Sequence, residues 1–253
     1  MTVQWLYDWL NAYAPFDTAE DFDNPGLLTG RMDWEVTGVL LALDCTPQTV
    51  REAKELGVNV IITHHPLMFS PLHTLREDSF EPAILCELIR HKIALIAAHT
   101  NLDKAPGGIN DALAMRLGLS QISGEGFVRV GDLPHPMSGD ELAAYCGEKL
   151  NTVVRLTGPK DARIIRLGMC SGAGSGEWKE ALKWGAQAFI SGEVKHHVAI
   201  EAAFAGIPML EAGHYATENP GMDLLADALQ KAADEVQYNL HLYRTQCDPY
   251  GNA

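Results

Sequence analysis

Short runs that are apolar on both faces, each closed by a polar or histidine-bearing end, set the tightest limit on what this chain can fold into. Residues 38–44, 58–63 and 93–98 have strand length, and stretches with helical spacing separate them. Thr46 and Pro47 supply an N-cap and first-turn proline for a helix to about Leu56, which Gly57 ends, and residues 81–91 repeat the helical pattern. Strands buried on both faces and alternating with helices predict a mostly parallel sheet covered on both sides. The same order returns later: strand 164–170, a glycine-rich turn (Gly172, Gly174, Gly176), helix 177–184, Gly185, strand 188–190 and a polar end at Ser191, Gly192 and Glu193. The repetition predicts an α/β fold of two related lobes with mostly parallel sheets, flanked by helices, arising by duplication. Residues 124–158 interrupt the rhythm with Pro134, Pro136 and a capping-box pattern from Ser138 to Glu141, so the lobes are set at 1–123 and 124–253. Thr2 can cap an opening helix, and the alternating run 236–243 reads as a strand that can join either lobe.

The strand ends carry the chemistry. His64 and His65 close one strand; His99 with Asp103 and His214 with Glu218 follow two others, and each pair is expected on a loop. Ligands of α/β sheets bind beyond the carboxyl ends of the strands, where His64, His65, His99, Asp103, Glu193, His214 and Glu218 all fall. Nitrogen and oxygen donors delivered twice, with the His64–His65 pair as a third contribution, suffice for two divalent metals in a cleft between the lobes. Spacing alone does not select these pairs, because His73/Glu77 and His197/Glu201 share it. His73 lies in a polar loop and His197 in a predicted helix, where an ordinary i,i+4 contact explains the spacing as well as a site does. For the strand-end pairs the alternative is a capping role. Residues 172–176 match no phosphate-loop fingerprint and read as a flexible connection. Residues 21–27, taken alone, can be a turn only.

Composition excludes other classes. The 253 residues are 47% hydrophobic, as in an ordinary globular protein, and 33 acids against 19 bases give a net charge of -14. That balance disfavours nucleic acid and anionic membrane as partners. Five widely spaced cysteines without a Cys-x-x-Cys pattern indicate neither a disulfide framework nor a thiolate zinc site, and Cys45 and Cys170 read as small buried hydrophobes. No Lys or Arg precedes Arg31, unlike a signal peptide, and no apolar run reaches membrane-spanning length, so a cytoplasmic location is expected.

Five segments together resemble the Nif-three-like family, whose members are widely named GTP cyclohydrolase I type II homologues. They are residues 23–27 (DNPGL), 61–66 (IITHHP), 99–103 (HTNLD) with Gly108 to Asp111, 191–197 (SGEVKHH) and 213–218 (GHYATE). The resemblance implies a two-lobed α/β protein with a dinuclear metal centre, assembled as a ring-shaped homohexamer. It makes His64, His65, Asp103, His214 and Glu218 the metal ligands, with Asp103 or Glu218 bridging, and leaves His99, Glu193 and His197 behind the ligands or facing substrate. Phe22 stands where the family pattern leads one to expect tryptophan. Such a donor set suits Zn, Mn, Fe or Ni. The implied activity is metal-dependent hydrolysis of a small nucleotide- or pterin-like substrate, with His99 or Glu193 moving the proton. The alternative is a metal-binding scaffold or regulatory protein without turnover.

Overall fold

The computed structural model describes residues 1–245, 247 and 248. They fall into two compact units, one made of Met1–Ala105 and the chain from Met222 on, the other of Pro106–Gly221.

The first unit opens with α1 (Val3–Tyr13), capped by the Thr2 side chain, and continues through β1 (Gly26–Thr29), β2 (Val39–Ala42), α2 (Pro47–Leu56), β3 (Val60–Thr63), α3 (Phe80–His91), β4 (Ala94–Ala97) and α4 (Thr100–Lys104). The second contains α5 (Ile109–Arg116), β5 (Ser120–Ser123), β6 (Arg129–Met137), α6 (Gly139–Leu150), β7 (Arg155–Thr157), β8 (Ile164–Cys170), α7 (Trp178–Lys183), β9 (Ala188–Ser191), α8 (His196–Phe204) and β10 (Met209–Glu211). Helix α9 (His214–Glu235) begins in the second unit and from Met222 belongs to the first, which β11 (Leu242–Arg244) completes.

Local chemistry fixes the elements where the sequence says it does. Thr46 accepts from the backbone of Thr49, Pro47 fills the first turn, and Gly57 ends α2 at φ 70°, a left-handed conformation that glycine adopts without strain. Ser138 and Glu141 close a full capping box on α6.

Each unit holds one sheet, in the orders β1-β4-β3-β2-β11 and β5-β6-β8-β9-β10-β7. Within them the duplication is explicit. The order α1-β1-β2-α2-β3-α3-β4-α4 matches α6-β7-β8-α7-β9-α8-β10-α9. In both, three successive strands run parallel, and the strand preceding them in sequence lies antiparallel beside the third. Leu40, Ile61 and Leu95 point into a core with Val50, Ala53, Leu85 and Leu88 of α2 and α3. In the second sheet Ala188 and Ile190 face one core and Phe189 the other, so both faces are covered.

Four features depart from the expectation. The second sheet is mixed, since β5 with β6, β6 with β8 and β10 with β7 are antiparallel. The residues around Pro134 and Pro136 belong to β6; its register against β8 shifts between Asp132 and Met137, which accommodates two residues without N–H donors. Residues 106–123, set in the first lobe, lie in the second unit, because Leu113, Ala114 and Leu117 pack with β8 and β9. The closing strand is shorter than residues 236–243 and takes the first of its two open positions, parallel to β2.

Candidate metal centre

In the first unit the register sets three strand ends side by side: Ala42 pairs with Thr63 and Thr63 with Ala97. Asp44, His64, His65 and His99 follow immediately. The backbone N–H groups of His64 and His65 donate to Ala42 and Leu43, so the ladder carries both residues past β3. Their rings nevertheless come together, with centroids 4.9 Å apart, and His99 lies 5.1 and 5.5 Å from them. One ring nitrogen from each of the three lies within 4.8 Å of the others.

His99 caps α4, and the N–H of Asp103 donates to the His99 carbonyl at 3.0 Å. The expected loop is therefore a helical turn, and its i,i+4 geometry brings Asp103 Oδ1 to 3.5 Å from His64 Nε2. The second pair is corrected in the same way: His214 opens α9, and Glu218 one turn on places Oε1 3.1 Å from His214 Nε2. Pro220 lies inside that helix.

In all four histidines Nδ1 faces an oxygen: the Ala98 carbonyl at 2.9 Å for His64, Asp44 at 2.8 Å for His65, Asp23 at 2.8 Å for His99 and Glu193 at 2.8 Å for His214. A carbonyl or an ionised carboxylate only accepts, so Nδ1 carries the proton and Nε2 is the nitrogen with a lone pair. Asp23 is the most heavily engaged partner. Burial raises its pKa, but hydrogen bonds from His99, Thr100 Oγ1 (2.5 Å) and Thr100 N (3.0 Å), with the attraction of His99, outweigh that and hold the carboxyl well below the usual range.

The second unit builds its own cluster around two glycines. Gly172 has φ 54°, and a Cβ there would stand 2.1 Å from Glu218 Oε1 and 3.2 Å from His214 Nε2. At Gly192 a Cβ would stand 2.7 Å from Thr217 Oγ1, the atom that accepts the Gly172 N–H. Gly172, in the segment read as a flexible connection, and Gly192, in the polar strand end, leave the space in which His214, Thr217 and Glu218 sit. Glu193 orients His214, and His197 on α8 enters no ligand cluster among the described residues.

The donors fit a divalent ion. With protons on Nδ1, a carboxylate oxygen stands 3.1 Å from Nε2 of His214, and a divalent cation held by both would satisfy the two acceptors. Imidazole with carboxylate suits a borderline-hard metal rather than one that prefers thiolates. Burial pushes the Cys45 thiol up to about 12, in keeping with a packing role, and all five cysteines are free.

Sequence reasoning missed Asp44 and left Asp23 in a turn. Asp44 closes the apolar run 38–44 and obeys the strand-end rule that selected the histidines; Asp23 stands in the segment 23–27 that carries the resemblance, but nothing local points to its partner 76 residues away.

A relative from Streptomyces coelicolor named GTP cyclohydrolase 1 type 2 homolog is 34% identical, over 95% of this chain and 90% of its own. One of the same name from Clostridium acetobutylicum is 30% identical, over 99% and 98%. The crystal structure of the Staphylococcus aureus hypothetical protein SA1388 has a TM-score of 0.95 at 32% identity, covering 100% of this chain and 99% of that one. Residues 1–249 match the Duf34/NIF3 (NGG1p interacting factor 3) family, with its two-sheet α/β fold, and the chain belongs to that family.

Proposed function

We propose that the protein is a divalent-metal-dependent hydrolase in which His64, His65, Asp103, His214 and Glu218 hold two ions. The observation that carries this reading is the shared arrangement of the four rings, each with Nδ1 on an oxygen acceptor that sets its tautomer and orientation. A bound divalent ion supplies Lewis acidity and lowers the pKa of a water. The chain's own part is to orient donors and to handle protons. Asp44, Asp23 and Glu193 fix the rings of His65, His99 and His214, and the Ala98 carbonyl fixes His64. His99 and the half-exposed Glu193 are the groups that move a proton to or from substrate. The name shared by the relatives suggests a nucleotide- or pterin-like substrate. A ring-shaped homohexamer is part of the same reading.

Elemental analysis after mild dialysis tests it. About two ions per chain are expected, with clear losses in His64→Ala, Asp103→Asn and His214→Ala. A parent protein that holds no ion and takes none up on reconstitution would sink the proposal.

A further inference from the structure

Two exposed aromatic rings stand beside the histidine cluster of the first unit. Phe22 is 63% exposed and Phe69 47%; their centroids lie 6.1 Å apart, and Phe69 meets the ring of His99 edge-on at 6.0 Å. Isolated exposed hydrophobes need no explanation, but a contacting pair continuous with buried site residues does.

The pair is built rather than incidental. Phe22 immediately precedes Asp23, whose carboxylate is fixed by His99 and Thr100. Phe69 lies in the connection between β3 and α3, residues 64–79, which contains no helix or strand. A connection that long inside an α/β unit is uncommon unless it serves a function. Asn24 Nδ2 donates to the Met68 carbonyl at 2.7 Å, which ties the loop behind Phe22 to the loop carrying Phe69. The rings are therefore placed by two hydrogen-bonded loops, one of which also orients His99.

We propose that Phe22 and Phe69 form a stacking platform that positions a planar heteroaromatic ring against the His64–His65–His99 cluster. The proposal rests on the metal-site reading above and names the residues that select its substrate. A cover for the Asp23–His99 pair would keep its rings out of water, whereas about half or more of each remains accessible. Stacking accepts any π face, so the platform selects for a planar ring rather than for one hydrogen-bonding pattern. The surrounding charge narrows the class. The loop before β1 carries Glu20, Asp21 and Asp23, and Lys104 is engaged by Glu20 at 2.9 Å. An uncharged nucleobase or pterin fits there better than a polyphosphate.

Calorimetric titration of the metal-loaded protein with guanosine, with pterin and with ribose tests this, elemental analysis being run on the same samples. Guanosine and pterin are expected to bind and ribose is not. The Phe22→Leu/Phe69→Leu double variant keeps apolar bulk but loses both π faces. It should bind the ring compounds at least about tenfold more weakly, with metal content unchanged. Phe69→Trp should retain the affinity. Failure of guanosine and pterin to bind a parent protein that carries its metal, or equal binding by the double leucine variant, would overturn the platform. Ring binding that depends on both phenylalanines in a protein without metal would support the platform and overturn the metal reading instead.

Discussion

Asp23 ligates nothing in the proposed site, yet it settles which nitrogen of His99 carries the proton and anchors the start of α4 through Thr100. Replacing a carboxylate behind a site imidazole typically costs about 10- to 100-fold in metal affinity. We expect a fall of that size in Asp44→Asn, whose carboxylate stands behind the proposed ligand His65, read by competition with a chelator. Asp23→Asn has a signature in pH instead. Asp23 is held below its unfolded value of about 3.9, so its contribution to stability is complete above that value and is lost as pH falls through the lower folded one. Asp23→Asn should therefore destabilise the metal-free protein at neutral pH, by a margin that shrinks below about pH 4. Denaturant melts that show an unchanged or growing margin at pH 3 would contradict this account. The histidines were legible in sequence because they close apolar runs. Their partners were not, because the Asp23–His99 and Asp44–His65 contacts are made by tertiary approach.

Elements were readable wherever backbone groups are satisfied by near neighbours. The caps of α1, α2 and α6 all follow from three-residue side-chain-to-backbone contacts. Ser138→Ala should cost about 1 kcal/mol in thermal unfolding, with α6 fraying first in hydrogen exchange. Elements that answer to distant contacts were misplaced. Pro134 and Pro136 suggest a linker until the shifted register of β6 shows where the missing donors fall. The two His-acid pairs read as loops because they directly follow buried strands; helix α4 is only Thr100–Lys104, too short for a periodic signal, and α9 runs through Pro220 to Glu235.

At the level of the whole molecule, the plan of paired α/β repeats was legible because buried strands advertise themselves as apolar runs. The division between them was not, since turn residues mark hairpins as readily as domain boundaries. Nor did alternation in residues 236–243 reveal which sheet they serve. In the structure, β11 covers the apolar edge of β2: Val39 N donates to the His241 carbonyl at 2.8 Å, and Thr245 N donates to Leu41 at 3.0 Å. Removing the chain from residue 241 onward should bare that edge. We expect the melting temperature to fall by at least about 2–4 °C, with a rise in light scattering. A melt coincident with the parent's would show that β11 adds nothing.

The same strand gives the protein a vectorial history. Every strand of the second sheet lies between Ser120 and Glu211, so that sheet has all its members well before translation ends. The first sheet does not. About 200 residues separate β2 from β11, a wait of roughly 10–40 s at elongation rates of about 5–20 residues per second. Through that interval the nascent chain exposes an unpaired strand edge, and a chaperone that shields it acts on the half of the protein that was made first.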